Sequence, residues 1–141
     1  MKYDPKQLLE KVLRENNYSV TAARQRVFQL LLGQEPQFMH QLLARAGDTV
    51  DRVSIYRTIE LYERLGIVHR IPIGWKYKLE LSDIFLAHHH HISCLACGKV
   101  TAIKEDESLE RLIEKMSAAA HFRLQAHQLE LQGYCQNCQE K

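Results

Sequence analysis

A chain of 141 residues has room for one ordinary domain or two very small ones. With 45% hydrophobic and 26% charged residues it is composed like a folded, soluble protein. No apolar run approaches the ~20 residues that span a bilayer, and the opening "MKYDPKQLLEKV" is not a signal peptide, so a cytoplasmic protein with no membrane association is expected.

The net charge of +2 hides an asymmetry. Residues 1–83 hold 13 Lys/Arg against 10 Asp/Glu, and residues 84–141 hold 6 against 7. The mild basic excess of the first part permits nucleic-acid binding without proving it.

In chain order, "DPKQLLEKVLREN" predicts a helix with Asp4 as cap, Pro5 in the first turn and Leu8, Leu9, Val12 and Leu13 on one face. "TAARQRVFQLLLG" predicts a second helix, capped by Thr21, with Val27, Leu30 and Leu31 inward and Gly33 as terminator. A third runs from about Gln37 to Ala46 and stops at Gly47. In the fourth, "DRVSIYRTIELYERLG", Ile55, Ile59 and Tyr62 share one stripe. Ser54, Arg57 and Glu60 lie opposite it, Tyr56 and Arg64 on its flank, and Gly66 ends it.

"IVHRIPIGWKYKLEL" alternates, turns at Gly74 and alternates again, as a β-hairpin does. Helices followed by a hairpin make a winged helix-turn-helix, which sends its last helix into the DNA major groove. After residues 82–87, a hinge, the texture changes. "HHHHISCLACGKVTAI" predicts two short strands around a CxxCG knuckle. "DESLERLIEKMSAAAHF" predicts a helix capped by Asp106 with Leu109, Leu112, Ile113 and Met116 on one face, and "AHQLELQGYCQNC" a strand with its own knuckle. The expected fold is α+β: a winged helix-turn-helix domain over 1–83 and a small α/β domain with a four-cysteine zinc site over 84–141.

All four cysteines fall in that second part, as Cys94/Cys97 and Cys135/Cys138. In a reducing compartment two CxxC hooks form a tetrahedral four-thiolate zinc site, which has no open position for water and is therefore structural. Neither pair precedes a helix in a βαβ pattern, which argues against redox cysteines. On an extended strand, His88 and His90 project to one face and His89 and His91 to the other, giving two HxH half-sites back to back. His127 shares parity with Leu129 and Leu131, and Glu110 lies early in the helix capped by Asp106. With one HxH pair they make a set of three imidazoles and one carboxylate.

The stretches "TAARQRV", "SIYRTIELYERLGIV", "HHHHISCLACGKV" and "HFRLQAHQLELQGYCQNC" together resemble the ferric uptake regulator family of metal-dependent repressors, over nearly the whole chain. The resemblance implies that Cys94, Cys97, Cys135 and Cys138 hold structural Zn2+. It implies that residues 84–141 are a metal-binding dimerisation domain with a second site of His88, His90, Glu110 and His127, His90 standing where many members have Asp, and a sensory site at the hinge that includes His89 and His91. It also implies DNA contacts from Tyr56 at thymine methyls and Arg57 at phosphate, with Ser54 and Arg24 as weaker candidates.

There are departures from the family pattern. The histidine that the winged domain contributes to the sensory site falls near Pro36, with His40 the nearest. Its glutamate aligns with Lys78, leaving Glu80, then Asp83, as substitutes. Peroxide sensors have an Asp where this chain has Ala102, and zinc sensors often add a cysteine, while all four here are committed.

The expected function is a homodimeric, metal-responsive repressor of metal-homeostasis genes that binds a double-stranded, AT-rich palindromic operator. Its corepressor is a second divalent metal, Fe2+ or Zn2+, with Mn2+ also admitted by His/carboxylate donors. The alternatives are a zinc- or peroxide-sensing member of the same family, or a zinc-ribbon interaction or metal-buffering module. An enzyme is not expected: a zinc deaminase wants H-x-E and P-C-x-x-C, and neither is present.

Overall fold

The computed structural model describes residues 3–140; Met1, Lys2 and Lys141, the outermost residues of the two expected domains, lie outside the described residues. The chain divides into two units, Met1–Ile71 with Tyr77–Leu86, and Pro72–Lys76 with Ala87–Lys141.

In the first unit, four helices precede a hairpin: α1 Pro5–Glu15, α2 Ala22–Leu31, α3 Met39–Ala46, α4 Arg52–Arg64, then β1 Val68–Ile73 and β2 Lys76–Leu81. Side-chain oxygens cap three of the helices, each accepting an otherwise orphaned N–H. Asp4 accepts from Lys6 (3.3 Å), Thr21 from Arg24 (3.2 Å) and Asp51 from Ser54 (2.9 Å). Gly66 (φ 70°) takes the left-handed conformation that ends α4 and turns the chain into the hairpin.

The apolar stripes of these helices meet in one core of Leu9, Leu13, Phe28, Leu42, Ile55, Ile59, Tyr62 and neighbours, closed by Leu79, Leu81 and Phe85. Phe28 and Phe85 pack edge to face, with centroids 5.0 Å apart. The third helix begins at Met39, two residues later than its sequence suggests. The reason is non-local: the Gln37 backbone pairs with Leu79 of β2 (N–H to O 3.0 and 2.7 Å) instead of entering the helix. The Gln37 side chain and Arg45 both donate to the Leu30 carbonyl (3.1 and 2.6 Å), which fastens α2, α3 and the hairpin together.

Tyr62 is fully buried, and burial pushes its phenol pKa up, so it stays neutral and donates to the Arg24 carbonyl at 2.6 Å. Tyr62→Phe keeps the ring and removes that donor. We expect a loss of about 1 kcal/mol, read as a lower urea midpoint at unchanged slope.

The second unit contains β3 His89–Cys94, β4 Val100–Lys104, α5 Glu107–Ala119 and β5 Glu130–Gly133, in a three-stranded sheet of order β4-β3-β5. Strand β3 runs antiparallel to β4 (His90 opposite Ile103) and parallel to β5 (His91 opposite Glu130). The last strand is shorter than its alternation suggests: it begins at Glu130, and residues 122–129, His127 included, approach it without strand pairing.

Helix α5 is capped by Asp106, which accepts from the Leu109 N–H at 3.0 Å, yet it buries none of its residues. Of its expected apolar face, Leu109 and Ile113 are half-buried, whereas Leu112 and Met116 are exposed. The unit thus has little core of its own.

Candidate metal centres and DNA-binding helix

The two knuckles bring Cys94, Cys97, Cys135 and Cys138 together, with all four sulfurs within 4.8 Å of one another and no disulfide among them. The first hook is tightened by the Gly98 N–H donating to the Cys94 carbonyl (3.0 Å), with Gly98 at φ 75°, a conformation that favours glycine. The second is tightened by the Cys138 N–H donating to the Cys135 carbonyl (2.8 Å).

The Cys135 N–H points at the Cys94 sulfur (3.4 Å); that bond first, and the Cys97 N–H after it, bring the Cys94 thiol pKa down to about 6. Cys138 is pushed up to about 12, first by its hydrogen bond with Cys135 and then by burial. One thiol deprotonates readily while the next resists sharing the negative charge, and a divalent cation would relieve that conflict. Cys97 and Cys135 have sulfurs 3.8 Å apart. A tetrahedron with Zn–S bonds of about 2.3 Å has edges of about 3.8 Å, so the donor set fits zinc.

A second cluster forms around Glu110. Its carboxylate lies 2.7 Å from His90 Nε2, 2.8 Å from His127 Nε2 and 3.5 Å from His88 Nε2, and the His88 and His127 Nε2 atoms are 3.1 Å apart. Burial would raise the Glu110 pKa, but the hydrogen bond to His90 and the charges of His127 and His88 outweigh it and hold the carboxyl below its ordinary value. Three imidazole nitrogens and a carboxylate converging from β3, α5 and the approach to β5 form a set of borderline donors suited to Fe2+, Zn2+ or Mn2+. His127 reaches it from irregular chain rather than from strand parity.

The remaining histidine pair of β3 behaves separately. The His89 and His91 rings pack against each other (centroids 4.6 Å), as the His88 and His90 rings do (4.8 Å). His91 is 2% exposed, and its Nδ1 lies 3.2 Å from Glu130 Oε1 on the neighbouring strand. Such a carboxylate fixes the tautomer and leaves Nε2 as the ligand nitrogen. Sequence reasoning passed over Glu130; only the parallel register of β3 and β5 sets it opposite His91.

Of the residues considered for the other half of a hinge site, Glu80 is buried on β2, while Asp83 and His40 are exposed and the His40 ring stacks on Phe38. Glu80 Oε2 lies 3.2 Å from Nε2 of His69 on β1, a residue not singled out from sequence. The signal was present: His69 has the same parity as Ile67, Ile71 and Ile73, which are all buried.

Helix α4 presents Arg52, Val53, Tyr56, Arg57 and Glu60 on its exposed side, Tyr56 at 45% exposure. Ser54 directs its hydroxyl to the capping Asp51 (2.6 Å), and Asp51 is held below its ordinary pKa, first by that bond. Arg24 is engaged nearby, donating to the Ser19 carbonyl (2.5 Å) and hydroxyl (3.1 Å). Tyr56 and Arg57 therefore stand out as the residues presented outward, and Ser54 and Arg24 as those that hold local structure.

A winged helix with an outward basic and aromatic face, followed by a unit carrying a four-thiol and a three-imidazole cluster, defines a metal-responsive DNA-binding regulator. The chain belongs to the ferric uptake regulator family, whose profile matches residues 15–132. It is 30% identical to the ferric uptake regulation protein of Bacillus subtilis, with 94% of this chain and 93% of that protein covered. It is 32% identical to the protein of the same name from Synechococcus elongatus, at 93% and 92% coverage. The ferric uptake regulator of Pseudomonas aeruginosa, solved with manganese, superposes with a TM-score of 0.75 at 25% identity, covering 90% of this chain and 97% of that one. Family members are dimeric, DNA-binding transcription regulators that respond to metals, not enzymes. Among the described residues, no helix is long and apolar enough to cross a membrane.

Proposed function

We propose that the chain is a cytoplasmic, homodimeric repressor that binds an AT-rich palindromic operator when loaded with a divalent metal and so controls metal-homeostasis genes. Cys94, Cys97, Cys135 and Cys138 hold structural zinc. His88, His90, Glu110 and His127 hold a second divalent ion, Fe2+ or Zn2+, with Mn2+ accommodated by the same donors. His89 and His91, with Glu80, serve the switch site.

The convergence of three imidazoles on one carboxylate supports this reading most directly. Four donor atoms within 4.8 Å of one another is an arrangement that a merely solvated histidine run has no cause to adopt. Dimerisation draws support from the apolar surface left on the small second unit, where Leu112, Met116, Phe122 and Leu131 are exposed. A second copy is the natural cover for such a surface on a unit this short of core.

The metal represses by binding the DNA-competent conformation more tightly than the alternative, which is all a ligand switch requires. Moving the protein from about 1% to about 99% competent needs about 10⁴-fold preference, shared over the sites of the dimer. The test is fluorescence anisotropy on an AT-rich palindrome, with the zinc-loaded protein titrated by Fe2+, Mn2+ or Zn2+ under anaerobic conditions. Tight binding with metal and its loss with a chelator is the expected result. Binding indifferent to both would leave a DNA-binding protein without a switch.

A further inference from the structure

We infer that Arg70 is a DNA-backbone contact: a guanidinium on the hairpin, fixed by Glu63 and Tyr77, that grips a phosphate at the edge of the groove entered by α4. The inference rests on the reading of α4 as the DNA-contacting helix and adds a second element to that surface.

Glu63, Arg70 and Tyr77 belong to the first unit, as α4 does, so their arrangement is internal to it. The Arg70 side chain, on β1, is 51% exposed, and its Nε donates to Glu63 Oε2, in the last turn of α4, at 2.9 Å. The guanidinium carbon lies 4.1 Å from the ring centroid of Tyr77 on β2. Tyr77 packs in turn against the core, which makes the ring a fixed platform.

Stability alone gives little reason to hold a surface arginine in this way. An exposed ion pair contributes little, and a long side chain loses rotamer freedom in forming it. A guanidinium, however, presents five N–H donors in one rigid fork. In Arg70 the Nε side is engaged by Glu63 and one face by Tyr77, whereas the Nη atoms make no hydrogen bond among the described residues. The remaining edge is set in advance for two oxygens of one phosphate.

Its position selects a phosphate of the duplex. Glu63 lies nearly two whole turns beyond Tyr56, so the two share a side of α4 about 10 Å apart. The major groove is about 12 Å wide. With Tyr56 over the base edges, a donor beside Glu63 reaches the rim, where the phosphates are. Arg52, Arg57 and Arg64 are exposed on the same helix and extend the positive surface.

The competing account is a brace, in which Arg70 only ties the hairpin to α4 through Glu63. A double-mutant cycle separates the two, because glutamine keeps an acceptor for Nε and removes the one anion beside the phosphate. The experiment measures fluorescence anisotropy at several salt concentrations with the full-length, zinc-loaded, Mn2+-saturated dimer. The proteins are the wild type, Arg70→Ala, Glu63→Gln, the double variant Glu63→Gln/Arg70→Ala, and Arg57→Ala. The probes are an AT-rich palindromic duplex and a random-sequence duplex of equal length. Retained helical signal and zinc content show that each variant is folded.

We expect Arg70→Ala to weaken both duplexes by the same factor, about 10-fold or more, and to lower the salt slope by about 0.9 per protomer. Glu63→Gln should bind more tightly than the wild type, and Arg70→Ala on that background should still lose affinity and slope. If Glu63→Gln weakens binding as Arg70→Ala does and the double variant loses no more, Arg70 is a brace and the inference is overturned. Wild-type affinity and slope in Arg70→Ala overturns it as well. In that event a loss in Arg57→Ala leaves the reading of α4 standing, and no loss there removes that reading too.

Discussion

Cys97→Ser, or removal of zinc by a strong chelator, is expected to unfold the second unit and dissociate the dimer while the first unit stays folded. Cys97 is exposed, so serine removes a ligand without opening a cavity, and the effect isolates the metal. The main apolar cluster lies wholly within residues 8–86, with none of it in the second unit. Helix α5 buries no residue, and the sheet it accompanies has only three short strands. A unit so short of core needs a staple, and structural zinc in small domains contributes free energy comparable to a whole domain's net stability. Sedimentation and circular dichroism should therefore report monomers that keep the helical signal of α1 to α4 and lose the sheet. A zinc-free protein, verified by metal analysis, that remains a dimer with its sheet intact would show that the four thiols do not hold the unit together.

Where the controlling physics was local, the sequence was readable. Caps at Asp4, Thr21 and Asp106 lie within three residues of the N–H groups they satisfy, and all three are legible in the sequence. The CxxC hooks and the alternation of the histidine run were legible for the same reason: backbone periodicity fixes which side chains share a face. What escaped depended on contacts between distant segments. Gln37 left its helix for Leu79, forty-two residues away, and His127, though grouped with Glu110 as its sequence suggests, reaches it from irregular chain and not from a strand.

Glu130 became a partner of His91 only through a strand register. The contact of His69 with Glu80 across the hairpin was hidden in another way: the parity of His69 with Ile71 and Ile73 is visible in the sequence, but a lone histidine in a hairpin matches no motif. The split of the α5 stripe into Leu109/Ile113 inside and Leu112/Met116 outside was hidden too, because periodicity marks an apolar face without saying which chain covers it.

Arg57→Ala should abolish high-affinity operator binding and leave the zinc content and the dimer unchanged. Arg57 is exposed on α4, seven positions before the helix ends and away from the stripe of Ile55, Ile59 and Tyr62 that anchors it, so truncation costs the fold little. In a dimer the change is made twice. At about 1–3 kcal/mol per lost contact, two copies weaken binding by roughly 30-fold to 10⁴-fold. A phosphate contact carries a second signature, because each one lost reduces the salt dependence of log K by about 0.9, or nearly two units for the pair.

Tyr56→Ala should behave otherwise. An apolar contact to a thymine methyl carries sequence information and little charge, so its loss narrows the gap between operator and random DNA at nearly unchanged salt slope. Ser54→Ala adds a control, since that hydroxyl is spent on Asp51 at the cap and its removal should act through the helix start. Anisotropy titrations of the three variants at several salt concentrations distinguish these roles. Wild-type affinity and salt slope in Arg57→Ala would remove α4 from the DNA interface, leaving the metal-binding unit as the part of the molecule that engages its partner.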